Sequence, residues 1–182
     1  MSEIMPKPLR FFFLIGLVVT LGTLPASAQS AEEDLATVYN YLKISDDLST
    51  SGQIAYDQIA SLKEAGFEVV VNLAPASDGA NALEGFLVTQ QGLSYVQIPV
   101  SWQEPSLRDL QMFFDVMEAN KDHKVYVHCF ANMRVSAFVY LYRTLMLDIP
   151  DDQASADLNK IWDPLELEQW AGLIERAKQQ SF

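Results

Sequence analysis

Apolar positions in this chain recur with two spacings, and the alternation between them predicts a layered domain. Phe67 to Leu73 is a near-continuous run of strand-forming residues, and Val125 to Val127 is a shorter one that ends at His128 and Cys129. Leu93 to Val100 reads as a third strand, with Tyr95, Gln97 and Pro99 at every second position, and Tyr41 to Ile44 as a short first one. Between them the spacing becomes helical. Ile54 to Ala65 carries Ile59 and Leu62 ahead of a stop at Gly66, and a weaker helix over Asn81 to Gln91 is closed by Gly92. Ser106 with Asp109 three positions on forms a capping signal for a helix whose buried face is Leu107, Leu110, Phe113, Phe114 and Met117. After Arg134, residues Val135, Phe138, Val139, Tyr142, Leu145 and Met146 mark another, and Asp163-Pro164 opens a last helix with Trp170, Leu173, Ile174 and Ala177 on one face. Residues 29–36 read as a frayed lead-in, Asp46 to Gly52 as turn, and Asp151 to Lys160 as a short acidic segment.

Helices alternating with apolar strands predict an α/β fold: three layers, with a central, mostly parallel sheet flanked by helices. Ligands in such folds sit at the carboxyl ends of the strands. Cys129 lies at that edge, and so does the loop after Val100.

The first residues change the picture of where the domain works. Lys7 and Arg10 precede an apolar run from Phe11 to Gly22, and Ala26-Ser27-Ala28 follows as a small-residue cleavage site. This pattern predicts a secretory signal peptide over residues 1–28 and a single domain over 29–182, exported to a bacterial periplasm. The run is shorter than the roughly 20 residues of a membrane span, so no stable membrane association is expected after cleavage; a retained amino-terminal anchor is the alternative. The chain's only cysteine cannot form an internal disulfide, so the core must hold the fold alone. A net charge of −12 argues against nucleic acid as a partner and repels anionic ligands at long range. Oligomeric state is left open.

Candidate chemistry concentrates in KVYVHCFANMR, residues 124 to 134. A strand, a tight loop and a buried helix in that order aim backbone N–H groups and the positive helix end at one point, which stabilises a bound anion and equally a thiolate. The bland alternative is a small buried apolar cysteine. His128 and Arg134 in the same stretch lower its weight. Metal binding has little support, because His123 and His128 are five apart across a strand and project to opposite faces, and no cofactor motif is visible.

HC, a short loop, Arg and a helix, preceded by FEVVVNLAP and YVQIPVSWQEPS, resemble the cysteine-dependent superfamily of tyrosine and dual-specificity phosphatases. With LSTSGQ added, residues 40 to 147 are similar to bacterial phosphatase-like domains that also occur in beta-lactamase-hydrolase-like proteins. The resemblance implies a cysteine-phosphatase-like fold and hydrolysis of phosphate monoesters, on a small molecule or a phosphoprotein, without cofactor. Cys129 would then be the nucleophile, Arg134 the bidentate anion clamp, and the N–H groups of Phe130, Ala131, Asn132, Met133 and Arg134 the phosphate cradle. Ser136 would stabilise the leaving thiolate, His128 would orient the loop, and Trp102 would cover the site or pin its own loop. Gln53 would reach toward the pocket.

The loop departs from the family pattern, with four residues between Cys129 and Arg134 in place of the usual five. Two registers follow. Without a gap, Asn132 occupies the usual glycine position, which Asn tolerates at positive φ, and Val135 replaces the arginine. In a loop one residue shorter, Arg134 keeps the guanidinium role. The usual acid loop reads SWQEP here and has no Asp, so Glu104 is the candidate general acid, against a plain reading as an exposed loop carboxylate. Four-residue spacing also fits a rhodanese-like sulfurtransferase, and the missing Asp fits a non-catalytic anion-binding module.

Overall fold

The computed structural model describes residues 26–182. The predicted leader lies outside them except for its last three residues, which form the first turn of helix α1 (Ala26–Leu35). The segment expected to be a frayed lead-in is therefore largely helical. Its few apolar residues are spaced to one side, and Ala31 and Leu35 are buried against the domain, so packing holds a helix that composition did not announce.

Five strands form one sheet in the order β1 (Leu42–Lys43), β2 (Leu48–Ser51), β5 (Val125–His128), β3 (Val69–Asn72), β4 (Ser94–Gln97). Only β1 runs antiparallel to its neighbour; β2, β5, β3 and β4 pair in parallel. The mostly parallel α/β sheet expected from the sequence is thus observed. Alternate residues of each strand face opposite layers. Val69, Val71, Val125 and Val127 pack under α4 (Leu107–Ala119), α5 (Met133–Leu145), α6 (Asp151–Leu158) and α7 (Glu168–Gln179). Val70 and Tyr126 face the other way, toward α1, α2 (Ile59–Glu64) and α3 (Glu84–Gln90). This alternation sends Cys129 and its predecessor His128 into different layers, Cys129 with the first set and His128 with the second.

Helix boundaries follow physical signals. Ser106 accepts a hydrogen bond from the Asp109 N–H at 3.1 Å and caps α4, whose Leu110, Phe113, Phe114 and Met117 are all buried. Full burial of each large side chain contributes about 1.5–3 kcal/mol. Gly66 and Gly92 terminate α2 and α3 with φ of 83° and 79°, where a Cβ would be strained.

Three further expectations are corrected. The supposed turn over Asp46 to Gly52 contains β2, a fully buried strand of sequence LSTS. Its hydroxyls are satisfied: Ser49 pairs with the Tyr41 hydroxyl, Thr50 donates to the Leu42 carbonyl, and Ser51 donates to the Gly52 carbonyl while accepting from Tyr126. A polar strand survives burial only under that condition. The acidic segment after Asp151 is helix α6, with Asp151 and Asp152 in its first turn and Asp157 held by Arg143 at 2.6 Å and Lys160 at 2.7 Å. Asp163-Pro164 opens a 3₁₀ turn, Pro164–Glu166, and α7 starts only at Glu168.

Candidate active site

The loop from Cys129 to Arg134 leaves the central strand β5 and runs into α5, so the topology puts it in the middle of the sheet's carboxyl edge. Its carbonyls are turned outward and tied down. Phe130 O accepts from the Gln53 N–H at 3.2 Å, and Ala131 O from the Asn40 side-chain amide at 3.0 Å. Gly52 lies so close that an added Cβ would fall 2.8 Å from Tyr39 O and 3.1 Å from Phe130 O, which restricts this position to glycine.

Asn132 is the hinge of the loop. It adopts φ 63° immediately before α5, and its amide donates to Asn40 O at 2.7 Å and to the Thr50 hydroxyl at 3.0 Å. Positive φ turns the chain so that successive N–H groups converge. Among the described residues, no acceptor outside the helix pairs with the N–H groups of Phe130, Met133 and Arg134, while Ala131 bridges antiparallel to Gly52, which turns the Asn132 N–H toward β2. The unpaired groups lie at the start of the 13-residue α5, where the positive helix end favours an anion, and directly follow Cys129, which is fully buried.

Arg134 sits at the end of this loop. Its Nε donates to the Val100 carbonyl at 3.0 Å, and its guanidinium carbon lies 5.3 Å from the Trp102 ring centre and 5.8 Å from that of Phe130. No carboxylate among the described residues pairs with it. Val135 is fully buried in the core. The geometry therefore favours the shorter-loop register, in which Arg134 presents the guanidinium.

Trp102 pins its loop and carries Arg134 at once. It packs on Trp162 at 5.3 Å and Trp170 at 5.2 Å between ring centres, and its carbonyl accepts from the Trp170 indole at 3.1 Å. Ser136 is nearby but committed: its hydroxyl donates to Met133 O at 3.1 Å and accepts from the Trp162 indole at 3.2 Å. Its one proton is directed away from the thiol. Glu104 is exposed and lines an open cleft with Pro105, Ser106, Gln169 and Arg176, and no contact joins it to the cysteine loop.

His128 and Gln53 meet a residue that sequence reasoning missed. Glu84, the first residue of α3, is fully buried with its carboxylate 2.8 Å from His128 Nε2 and 3.0 Å from the Asn72 amide, and it also accepts from Gln53. Burial pushes this carboxyl up, but the hydrogen bond and field of His128, with the Gln53 donor, outweigh it and hold the group below its ordinary range. The Tyr95 hydroxyl accepts from the Asn72 amide at 3.0 Å and is pushed up by burial and by the Glu84 charge. A Glu at a helix start is too common to signal itself. The one available clue was Asn72, a polar residue closing the apolar run of β3.

Residues 25–169 match the family model described as DSP-PTPase phosphatase fused to NAD+ kinase. A DUF442 protein from Shewanella putrefaciens CN-32, provisionally named a phosphatase, superposes with a TM-score of 0.72 at 36% identity, covering 82% of this chain and 97% of that one. Tk-PTP in its active form superposes at 0.66 with 14% identity, over 78% of this chain and 97% of that chain. TpbA from P. aeruginosa, solved as a Cys-to-Ser variant with pTyr, superposes at 0.60 with 15% identity, over 74% and 82%. No curated protein matches the chain.

Proposed function

Given that this chain belongs to the DSP-PTPase family, and so to the cysteine phosphatases, we propose that it hydrolyses phosphate monoesters through a thiophosphoryl intermediate on Cys129. The observation that carries this reading is the loop after Cys129, whose Phe130, Met133 and Arg134 N–H groups have no protein acceptor at the start of α5 and whose Arg134 guanidinium is paired with no carboxylate among the described residues. The Cys129 thiolate, its proton already given up to solvent, attacks phosphorus, the phosphorus–oxygen bond to the leaving group breaks, and the departing oxygen takes up a proton from solvent. Water then attacks phosphorus, the phosphorus–sulfur bond breaks, and the thiolate returns with inorganic phosphate released. The loop N–H groups and Arg134 stabilise the equatorial oxygens in both steps, and an acidic chain needs this local positive field to hold a phosphate at all.

Substrates are phosphorylated small molecules or phosphoproteins. Aryl phosphates of the phosphotyrosine type are the first to try, since the similarly folded TpbA holds pTyr. The leader residues support export of a mature domain over 29–182 to the periplasm. Cleavage after Ala28 would shorten α1 by one turn and leave Ala31 and Leu35 in place.

The test is aryl phosphate hydrolysis by reduced protein beside Cys129→Ser, with vanadate as inhibitor. Turnover that is lost in the variant and blocked by vanadate supports the reading. Phosphate binding without turnover would instead favour a non-catalytic module, the reading that draws on the lack of any carboxylate contact to the loop among the described residues. Cell fractionation with amino-terminal sequencing tests both steps: an intact Met1 would overturn cleavage, and recovery in the cytoplasm would overturn export.

A further inference from the structure

Four parallel strands end at the sheet's carboxyl edge, and α3 begins there with a buried charge. Glu84 of α3 accepts from His128 at the end of β5, from Asn72 at the end of β3, and from Gln53 just past β2, while Tyr95 of β4 closes the ring through Asn72. Gln53 is also the residue whose backbone N–H holds Phe130 O, so the same residue touches both the carboxylate and the cysteine loop.

We propose that Glu84 is a positioning residue for this active site: its carboxylate keeps a proton on Nε2 of His128 and thereby fixes the residue that precedes the nucleophile. An ionised carboxylate only accepts, so its 2.8 Å contact requires His128 Nε2 to be the donor. Nδ1 of His128 is buried and has no hydrogen-bond partner among the described residues, so none of them competes from the other side of the ring to reorient it. The ring is held from one nitrogen. Remove the carboxylate, and neither the tautomer nor the rotation of the imidazole is determined by the surrounding protein. The titratable groups facing Glu84 are His128 from β5 and Tyr95 from β4, with Tyr126 behind; its other partners, Gln53 and Asn72, are uncharged amides. Glu84 touches no loop N–H itself, and it acts through His128 and Gln53. Only the kinetic arm of the test rests on Cys129 being a nucleophile.

The chain has two histidines, so protein labelled with ¹⁵N-histidine yields two imidazole spin systems. His123, exposed and paired with Glu68 at 2.9 Å, serves as the internal reference. The expected wild-type spectrum shows the other ring with Nε2 protonated from about pH 5.5 to 8, whereas a proton on Nδ1 alone overturns the proposal outright. In Glu84→Gln that signature is replaced by a tautomer mixture, and affinity for inorganic phosphate falls about tenfold, in the range of 10 to 100 typical of residues that orient a functional side chain. Glu84→Asp restores part of both. kcat on an aryl phosphate should fall with kcat/KM and recover with them. If Glu84→Gln keeps the imidazole signature and the phosphate affinity and loses only thermal stability, Glu84 is structural and the inference fails. Should Glu84→Gln not fold, the wild-type spectrum and Glu84→Asp still decide it. Spectra and phosphate binding need no turnover, so a chain that binds phosphate through this device yet hydrolyses nothing would sink the phosphatase mechanism and leave the role of Glu84 standing.

Discussion

Two loops meet over Cys129, and they are built to different degrees. The loop from Cys129 to Arg134 has its Phe130 and Ala131 carbonyls tied down, a positive φ at Asn132, N–H groups without a protein acceptor at the start of α5, and the Arg134 guanidinium beside Trp102 and Phe130. The facing loop, Ser101 to Pro105, is fixed just as firmly by Trp102 on Trp162 and Trp170, but it delivers no carboxylate to the cysteine. On the proposed reading, one loop carries the groups that would grip an anion and stabilise charge. The other supplies rigidity and a platform for Arg134, and no proton donor. On that reading, the difference makes anion binding and leaving-group protonation separable parts of this fold, with the groups for the first in place and the second left to the substrate or to solvent.

The largest expected effect comes from cutting the platform. Trp102→Ala removes a side chain wedged between two other tryptophans and should cost about 3–5 kcal/mol of stability by thermal or denaturant unfolding. Trp102→Phe should cost less and keep a ring under Arg134. If Trp102→Ala barely changed stability, the facing loop would not be the rigid element described here. Next, Arg134→Ala leaves the loop N–H groups intact and removes only the guanidinium. A fall of about 10² to 10³ in kcat/KM on an aryl phosphate is expected, as for losing one preorganised donor to a charged transition state. An unchanged rate would return the clamp to the N–H groups alone.

Smaller effects sharpen the hinge and the network behind it. Asn132→Ala places a Cβ residue at φ 63° and deletes two side-chain hydrogen bonds, so a loss of about 1–3 kcal/mol is expected. Asn132→Gly relieves the backbone and loses only the bonds, and the gap between the two variants measures the strain. Glu84 adds a pH dependence. Its carboxyl is depressed in the folded state, so its contribution to stability is complete above the ordinary value of 4.5 and is lost as pH falls through the lower folded value. Unfolding midpoints measured from pH 7 downward should drop below about pH 4.5, at about 1.4 kcal/mol per unit of depression, and Glu84→Gln should flatten that slope.

What the sequence disclosed divides along the same physical line. α4, α5 and α7 were legible because an amphipathic face is written in one segment, as Leu110, Phe113, Phe114 and Met117 show. The cysteine loop was legible for a related reason, since Cys129, the turn residue Asn132 and Arg134 lie within six consecutive residues. β2 was not, because Ser49, Thr50 and Ser51 are buried by partners as distant as Tyr126, and a polar run carries no trace of them. Glu84 was hidden in the same way. It reaches His128 across 44 positions, and at its own position it looks like any acidic residue at a helix start.

The smallest expected effect tests the unfinished loop directly. Glu104 is exposed and faces Gln169 and Arg176, so Glu104→Gln should change turnover of an aryl phosphate with a good leaving group by less than about twofold. Such a substrate needs little help from an acid, whereas an alkyl phosphate leaves as a strong base and needs a proton in the transition state. A chain without a donor in place should therefore show rates that fall steeply as the leaving group becomes more basic, in Glu104→Gln as in the wild type. If instead the wild type hydrolyses alkyl phosphates nearly as well as aryl ones, and Glu104→Gln loses only the alkyl activity, the Ser101 to Pro105 loop closes on substrate and carries the acid. The contrast between the two loops would then describe the empty enzyme alone.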